Sequence, residues 1–325
     1  MRPSLTILSY HNVDHTWAFP SGPGRAPAGF RAQLDWLARF TNVVALEPAL
    51  AALADGRPLP PRALAITFDD GYRDNLEIAA PELRLRAMPA TFFLVPGLID
   101  RAVTPWWERL AWGIRAARAT AISLDGTDWP LVTAADRAST AREVTRLLKA
   151  SDRQTREARI DEIVAALDAG HEPNFGALYV DWDGARRLGD MGFELGSHSS
   201  WHAILGNETP EAQLADLTRS RQRLEAELDR PIRTLAYPNG TVHDYSAATV
   251  TAAVEAGFTH ACTTRIGRNT GATPPFELRR FVVVPERGVS PLRWSTALGQ
   301  RAVRVARRRF GRLGPRTRPS GGEST

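Results

Sequence analysis

The sequence predicts an α/β fold in which βα units build a parallel sheet or barrel. Short apolar runs alternate with stretches of helical periodicity along most of the 325 residues. Two of those runs end in polar clusters, Asp69-Asp70 and His198 to His202. Parallel α/β folds collect their chemistry at such strand ends. The composition, 43% hydrophobic and 24% charged, suits a globular chain long enough to bury a full core.

The first strand candidate covers residues 5–10, and the Pro- and Gly-rich stretch 12–29 reads as a loop at the mouth of a pocket. Phe30, Leu34 and Leu37 then recur at helical spacing. Strand candidates follow at 42–46, 64–68 and 91–95. Residues 101–180 break the rhythm. Trp106, Trp107 and Trp112 open a helical stretch, 122–132 forms a hairpin around Asp125-Gly126, and two further helices follow. This region reads as a mainly helical insertion between consecutive core strands, a lid or groove wall. The core resumes with strands at 193–197, 234–237, 259–263 and 281–284, and with a helix in which Leu214, Leu217, Leu224 and Leu228 share a face.

Charge is unevenly placed. Ten arginines and no acid lie between Arg287 and Gly322, so the net charge of +5 belongs to the tail and the body is mildly acidic. Residues 1–290 are expected to form one domain and 291–325 a basic C-terminal helix with a disordered tail. Leu292, Leu298, Val303 and Val305 among the arginines would let that helix lie on anionic lipid. Nucleic acid is not an expected partner, because stacking aromatics do not interleave with the basic residues. The single cysteine, Cys262, excludes an internal disulfide framework. No run approaches the roughly 18 to 20 apolar residues that span a bilayer. Residues 5–10 are too short for a signal core, so the expected location is cytoplasmic, with association at the inner membrane face.

The two polar clusters ask for one metal ion. Zinc accepts imidazole nitrogen and carboxylate oxygen, and hydrolytic sites pair three protein ligands with an open position. His198, His202 and one of the tandem aspartates supply that set, and the other aspartate is then placed to act as general base. Cobalt or nickel would fit the same donors.

The stretch Thr67-Phe68-Asp69-Asp70-Gly71-Tyr72 resembles the TFDDGY signature of the polysaccharide deacetylases (NodB-homology, carbohydrate esterase family 4), and His198 to His202 resembles their H-S/T-x-x-H signature. The likeness extends to Ala90-Thr91-Phe92-Phe93 and Ala236-Tyr237-Pro238-Asn239-Gly240, covering roughly residues 3–286 outside the insertion. It implies a distorted, incomplete (β/α) barrel, typically of seven strands. It also implies Asp70, His198 and His202 as metal ligands and Asp69 as general base, with the Tyr237 backbone N–H in the oxyanion hole. Tyr72, Trp201, Pro238 and Asn239 are the expected sugar contacts.

Two departures from the family pattern matter. The arginine that often precedes the proline of the third motif is replaced by Ala236 and Tyr237, and Arg280 is the expected substitute for orienting the base. The late Leu-x-x-His that supplies the general acid is missing after Val284. Ser9-Tyr10-His11-Asn12-Val13 resembles the Y-H-x-V opening of a branch associated with exopolysaccharide assembly, where an N-terminal histidine takes that role. His11 is therefore the expected acid. The implied function is metal-dependent removal of N-acetyl groups from N-acetylhexosamine units of a polysaccharide or a lipid-linked saccharide. The alternatives are a deacylase acting on another amide, N-formyl or non-sugar, and a glycan-binding protein whose catalysis has lapsed.

Overall fold

A computed structural model gives the fold of residues 3–287. Eight strands form one parallel sheet: β1 (Thr6–Tyr10), β2 (Asn42–Val43), β3 (Ala63–Phe68), β4 (Thr91–Leu94), β7 (Glu194–Ser197), β8 (Thr234–Ala236), β9 (His260–Cys262) and β10 (Phe281–Val282). Their order is β10-β1-β3-β4-β7-β8-β9, with β2 added alongside β3. The remaining pair, β5 (Ala121–Leu124) and β6 (Thr127–Pro130), is an antiparallel hairpin. Asp125 and Gly126 both have positive φ, 51° and 75°, as a two-residue hairpin turn requires.

The seven-strand path curls into a half-barrel, the distorted, incomplete (β/α)7 barrel expected above. Its strands are buried on both faces, which is why they read as near-continuous apolar runs. Alternation then sorts the side chains. Leu8, Tyr10, Ile66, Phe68, Phe92 and Leu94 pack outward under helices, while Ile7, Ala65, Phe93, Ala236 and Cys262 point inward. Helices α1 (Arg25–Phe40), α3 (Ala80–Leu85), α8 (Trp182–Asp190), α9 (Pro210–Leu228) and α10 (Ala247–Glu255) supply the outer layer. Phe30, Leu34, Leu37, Leu217 and Leu224 are buried there at the predicted spacing.

Helix α2 (Leu46–Ala54) packs Leu46, Leu50 and Leu53 against the inward-facing cluster. The expected strand 42–46 is cut to two residues because the Glu194 carboxylate accepts the Leu46 N–H at 3.0 Å, satisfying the first turn of α2. Helix α4 (Pro96–Ile99) follows β4. The region after it builds a second core from α5 (Trp106–Ala116), the β5–β6 hairpin, α6 (Ala134–Lys149) and α7 (Arg153–Ala166). Leu110, Trp112, Leu131, Val144, Leu148 and Ile163 are among its buried residues. No helix among the described residues is long and apolar enough to cross a membrane. The expected C-terminal helix and tail, 291–325, lie outside the described residues.

Candidate active site

The first half of the site is the end of β3. Alternation carries Ala65, Thr67 and Asp69 along the inner face. Asp69 is buried, and Arg280 grips its carboxylate with two parallel hydrogen bonds, 2.7 and 2.8 Å. The Ser9 hydroxyl donates a third at 3.0 Å. Arg280 is itself fully buried just ahead of β10, and its Nε donates to the Thr263 carbonyl at 3.0 Å. Burial works against the Asp69 charge, but Arg280, His198 and His11 outweigh it and hold the carboxyl below the usual carboxylate range. Asp69 therefore stays ionised.

Asp70 turns the other way because the chain goes left-handed there, with φ of 73° at Asp70 and 77° at Gly71. Its Oδ1 lies 3.4 Å from His198 Nε2 and 3.2 Å from His202 Nε2.

The second half is the loop after β7. Ser199 and His202 have φ of 64° and 52°, so the two histidines converge through a tight loop and not a helical turn. His198 Nδ1 sits 2.7 Å from the Ala236 carbonyl. A carbonyl only accepts, so Nδ1 carries the proton and Nε2 offers its lone pair toward Asp70. Ser200 N–H donates to the buried Asp216 at 2.6 Å and ties the loop to α9. The Trp107 ring lies against His202, centroids 4.4 Å apart.

One ligand atom from each of Asp70, His198 and His202 falls within a 4.8 Å cluster. Asp70 Oδ1 is buried with no hydrogen-bond donor, although two imidazole nitrogens face it. A buried carboxylate oxygen and two imidazole nitrogens facing one point are a donor set that a divalent cation satisfies. These residues fit the expected metal. A cavity of about 750 Å³ opens from this point, with His11, Asp70, His202 and Asn239 at the site end.

Comparison with known proteins places this arrangement. The profile of the polysaccharide deacetylase family matches residues 56–261, which contain both clusters. The chain belongs to the polysaccharide deacetylase family. The protein YxkH of Bacillus subtilis (strain 168) is 35% identical over 95 residues, a segment that is 28% of this chain and 32% of that protein. Thus the match spans about a third of the relative's length. Among solved structures, the deacetylase PplD of Streptococcus pyogenes superposes with a TM-score of 0.59 at 17% identity, covering 90% of this chain and 96% of that one. The deacetylase domain of BpsB from Bordetella bronchiseptica gives 0.56 at 18%, covering 87% and 97%. IcaB from Ammonifex degensii gives 0.56 at 18%, covering 90% and 97%. At such identities the structures establish the polysaccharide deacetylase fold.

Within this deacetylase framework Asp69, Asp70, His198, His202, His11 and Arg280 come together. His11 and Arg280 lie outside the family match and are brought in by β1 and by the segment before β10. The His11 ring packs on Phe19, centroids 5.6 Å apart, and lines the cavity with Asp70.

Four residues sit elsewhere than expected. The Tyr237 N–H is spent on the Cys262 carbonyl at 3.0 Å, so it is closed to an oxyanion, and its ring points outward onto Tyr245. Pro238 is buried in the turn after β8, its carbonyl accepting from Gly240 N–H at 2.7 Å. Trp201 points away from the cavity, because the left-handed Ser199 turns the loop toward Gly97 and places the ring between Arg153 and Arg219. Tyr72 is buried, its hydroxyl donating to Glu108 at 2.9 Å and accepting from Trp107 at 2.9 Å. Of the expected sugar contacts, Asn239 alone lines the cavity.

Sequence reasoning missed Ser9, Trp107 and Glu108 as parts of the site. The in-register pairing of Ser9 with Thr67 is what brings the first to Asp69, and only the sheet shows it. Trp107 and Glu108 lie in α5, where helical periodicity marks a face but not its neighbour.

Proposed function

We propose that the protein is a metal-dependent deacetylase that hydrolyses the N-acetyl group of an N-acetylhexosamine in a polysaccharide or a lipid-linked saccharide. The observation that carries this reading is Asp70, His198 and His202 gathered around one point beside the Arg280-held Asp69. The family membership and the IcaB- and BpsB-like fold support it.

A divalent ion, with zinc the choice from the donor set, would supply a Lewis acid for the acyl carbonyl and a water of lowered pKa. Asp69, kept ionised and oriented by Arg280 and Ser9, accepts the proton of the attacking water at a carboxylate oxygen. Asn239 takes the oxyanion role in place of Tyr237. It lines the cavity, its N–H has no protein acceptor among the described residues, and the preceding Pro238 has no N–H to offer. His11, on the opposite rim, gives a proton to the departing amine. Asp69, Asp70, His198 and His202 all being in place argues against a lapsed catalyst.

The test is acetate release from chitooligosaccharides by the purified chain. Chelation should abolish release and zinc restore it, and Asp69→Ala should lower kcat by about 10²- to 10⁴-fold without loss of the metal. Metal retention with formate released from N-formyl sugars, and no acetate from N-acetyl sugars, would transfer the reading to a deformylase.

A further inference from the structure

The cavity does not end at the candidate metal centre. It continues between α5 and α6, away from the barrel. From Trp107 to Arg115 it follows α5 for about 12 Å, at about 1.5 Å per residue. Leu110, Ala111 and Ile114 of α5 face Ala134, Ala138 and Ala141 of α6 across it. The alanines recur at helical spacing, so α6 presents a face of small side chains and the crevice stays open. Trp17, Phe19 and Pro20 of the loop before α1 extend the apolar wall, and Phe19 is 38% exposed there.

Three features say what the crevice suits. Beyond the Trp106 and Trp107 indoles at the start of α5, its wall between the helices offers one neutral hydrogen-bonding side chain, Thr145. A glycan laid there would bury hydroxyls with no partners, which costs about 1–3 kcal/mol for each unsatisfied group. An alkyl chain has no such cost and gains roughly 0.8 kcal/mol per buried methylene.

Second, Arg115, Arg137, Arg142 and Lys149 also line the cavity, whereas Asp70, at the metal end, is the sole carboxylate in the lining. None of the three arginines has a carboxylate partner among the described residues; Arg137 donates instead to the Ile114 and Ala117 carbonyls. Unpaired cations beside an apolar trough are complementary to an anion that carries a hydrocarbon. Third, the trough is continuous with the catalytic pocket, so one molecule can occupy both. The arginine-rich residues beyond 287 carry the wrong charge to fill it.

We propose that the crevice between α5 and α6 holds the hydrocarbon of an anionic lipid, a phosphate ester whose N-acylated sugar reaches the candidate metal centre. The insertion thereby selects a lipid-linked saccharide over a finished polymer, a choice that rests on the deacetylase reading. The alkyl chain lies on Leu110 and Ile114 beneath the α6 alanines. The phosphate pairs with Arg142 and Lys149, and the stem of Arg115 covers the trough edge while its charged end stays in water.

The experiment is calorimetric titration of the full-length, zinc-loaded protein with decyl phosphate. It is run beside hexyl phosphate, decyl maltoside and chitohexaose, and in parallel with the acetate-release assay. Decyl phosphate should bind at least about tenfold more tightly than hexyl phosphate, given the four methylenes between them, and at least about tenfold more tightly than the neutral maltoside. Ala138→Trp, at an exposed position that fills the trough, and Arg142→Glu should each weaken decyl phosphate about tenfold or more, with unfolding temperatures matching the parent's.

Acetate release from chitooligosaccharides with no binding of decyl phosphate, or with binding indifferent to both variants, would overturn the lipid site and leave the deacetylase reading standing. Chitohexaose lost in Ala138→Trp while decyl phosphate is retained would replace the lipid by a glycan. Binding with the expected variant losses but no acetate from any N-acetyl sugar would keep the lipid site and sink the deacetylase.

Discussion

Asp216 supports the histidine loop from below. Its carboxyl is buried, accepts the Ser200 N–H, and leaves Oδ2 with no donor among the described residues. Burial pushes its pKa up to about 7, against the Ser200 and Trp201 N–H groups and Arg153. A native pKa above the unfolded one means that the folded state holds the extra proton between the two values. The contribution to stability is full below the ordinary carboxylate pKa and is lost as pH rises toward about 7. Asp216→Asn should therefore flatten the fall in unfolding free energy between acid and neutral pH by up to a few kcal/mol, measured by urea denaturation across that range. A wild-type slope retained in the variant would remove Asp216 as its source.

At this scale the sequence pointed to Asp69, Asp70, His198 and His202 as one cluster, and the structure brings them together, because strand ends are visible as the points where apolar runs stop. It misled at Tyr72, Trp201, Tyr237 and Pro238. Proximity to a motif says nothing of side-chain direction, and one step along a strand or one left-handed residue reverses it.

Helix α5 is the element that joins the second core to the candidate site. The Trp107 Nε1–H donates to Tyr72, the Tyr72 hydroxyl donates to Glu108, and the other Glu108 oxygen accepts the Ala18 N–H at 2.9 Å. One turn of helix thus fixes the ring against His202, the residue after Gly71, and the loop that carries Phe19. Glu108→Ala leaves the Tyr72 hydroxyl and the Ala18 amide without their acceptor. It should cost about 1–3 kcal/mol locally and speed hydrogen exchange at the Ala18 amide by about tenfold or more. Exchange unchanged at Ala18, with global stability reduced, would reduce Glu108 to a packing role.

The strands, α1 and α9 were legible from their periods, and the 121–130 hairpin from Asp125-Gly126. The relay was not, because Glu108 reads as one more polar residue on an amphipathic helix until its neighbours are known.

Among the described residues the barrel has one side where the end strands do not pair directly. Strands β9 and β10 do not pair with each other; the segment before β10 crosses that side through the Cys262–Leu278 bridge and the backbone hydrogen bonds of Leu278 and Arg280 to the end of β9 and the residues after it, and the Arg280 side chain spans it. The guanidinium holds the Thr263 carbonyl, the Thr67 hydroxyl at 3.2 Å and the Asp69 carboxylate together. Sequence reasoning expected Arg280 beside Asp69, but its span across that side depends on strand order, which no local pattern encodes. Arg280→Ala strands a buried carboxylate and should cost about 3–5 kcal/mol in unfolding free energy. Arg280→Lys should recover only part of that, since an ammonium lacks the two-pronged match. Equal stability of all three proteins in denaturant titration would deny Arg280 this role.

The same cation spans the side between the end strands and orients the Asp69 carboxylate. On the proposed deacetylase reading, partial parting of the end strands would disarm hydrolysis while the helices outside stayed folded. Loss of turnover in mild denaturant, ahead of any change in helical signal, is the behaviour this stitch imposes.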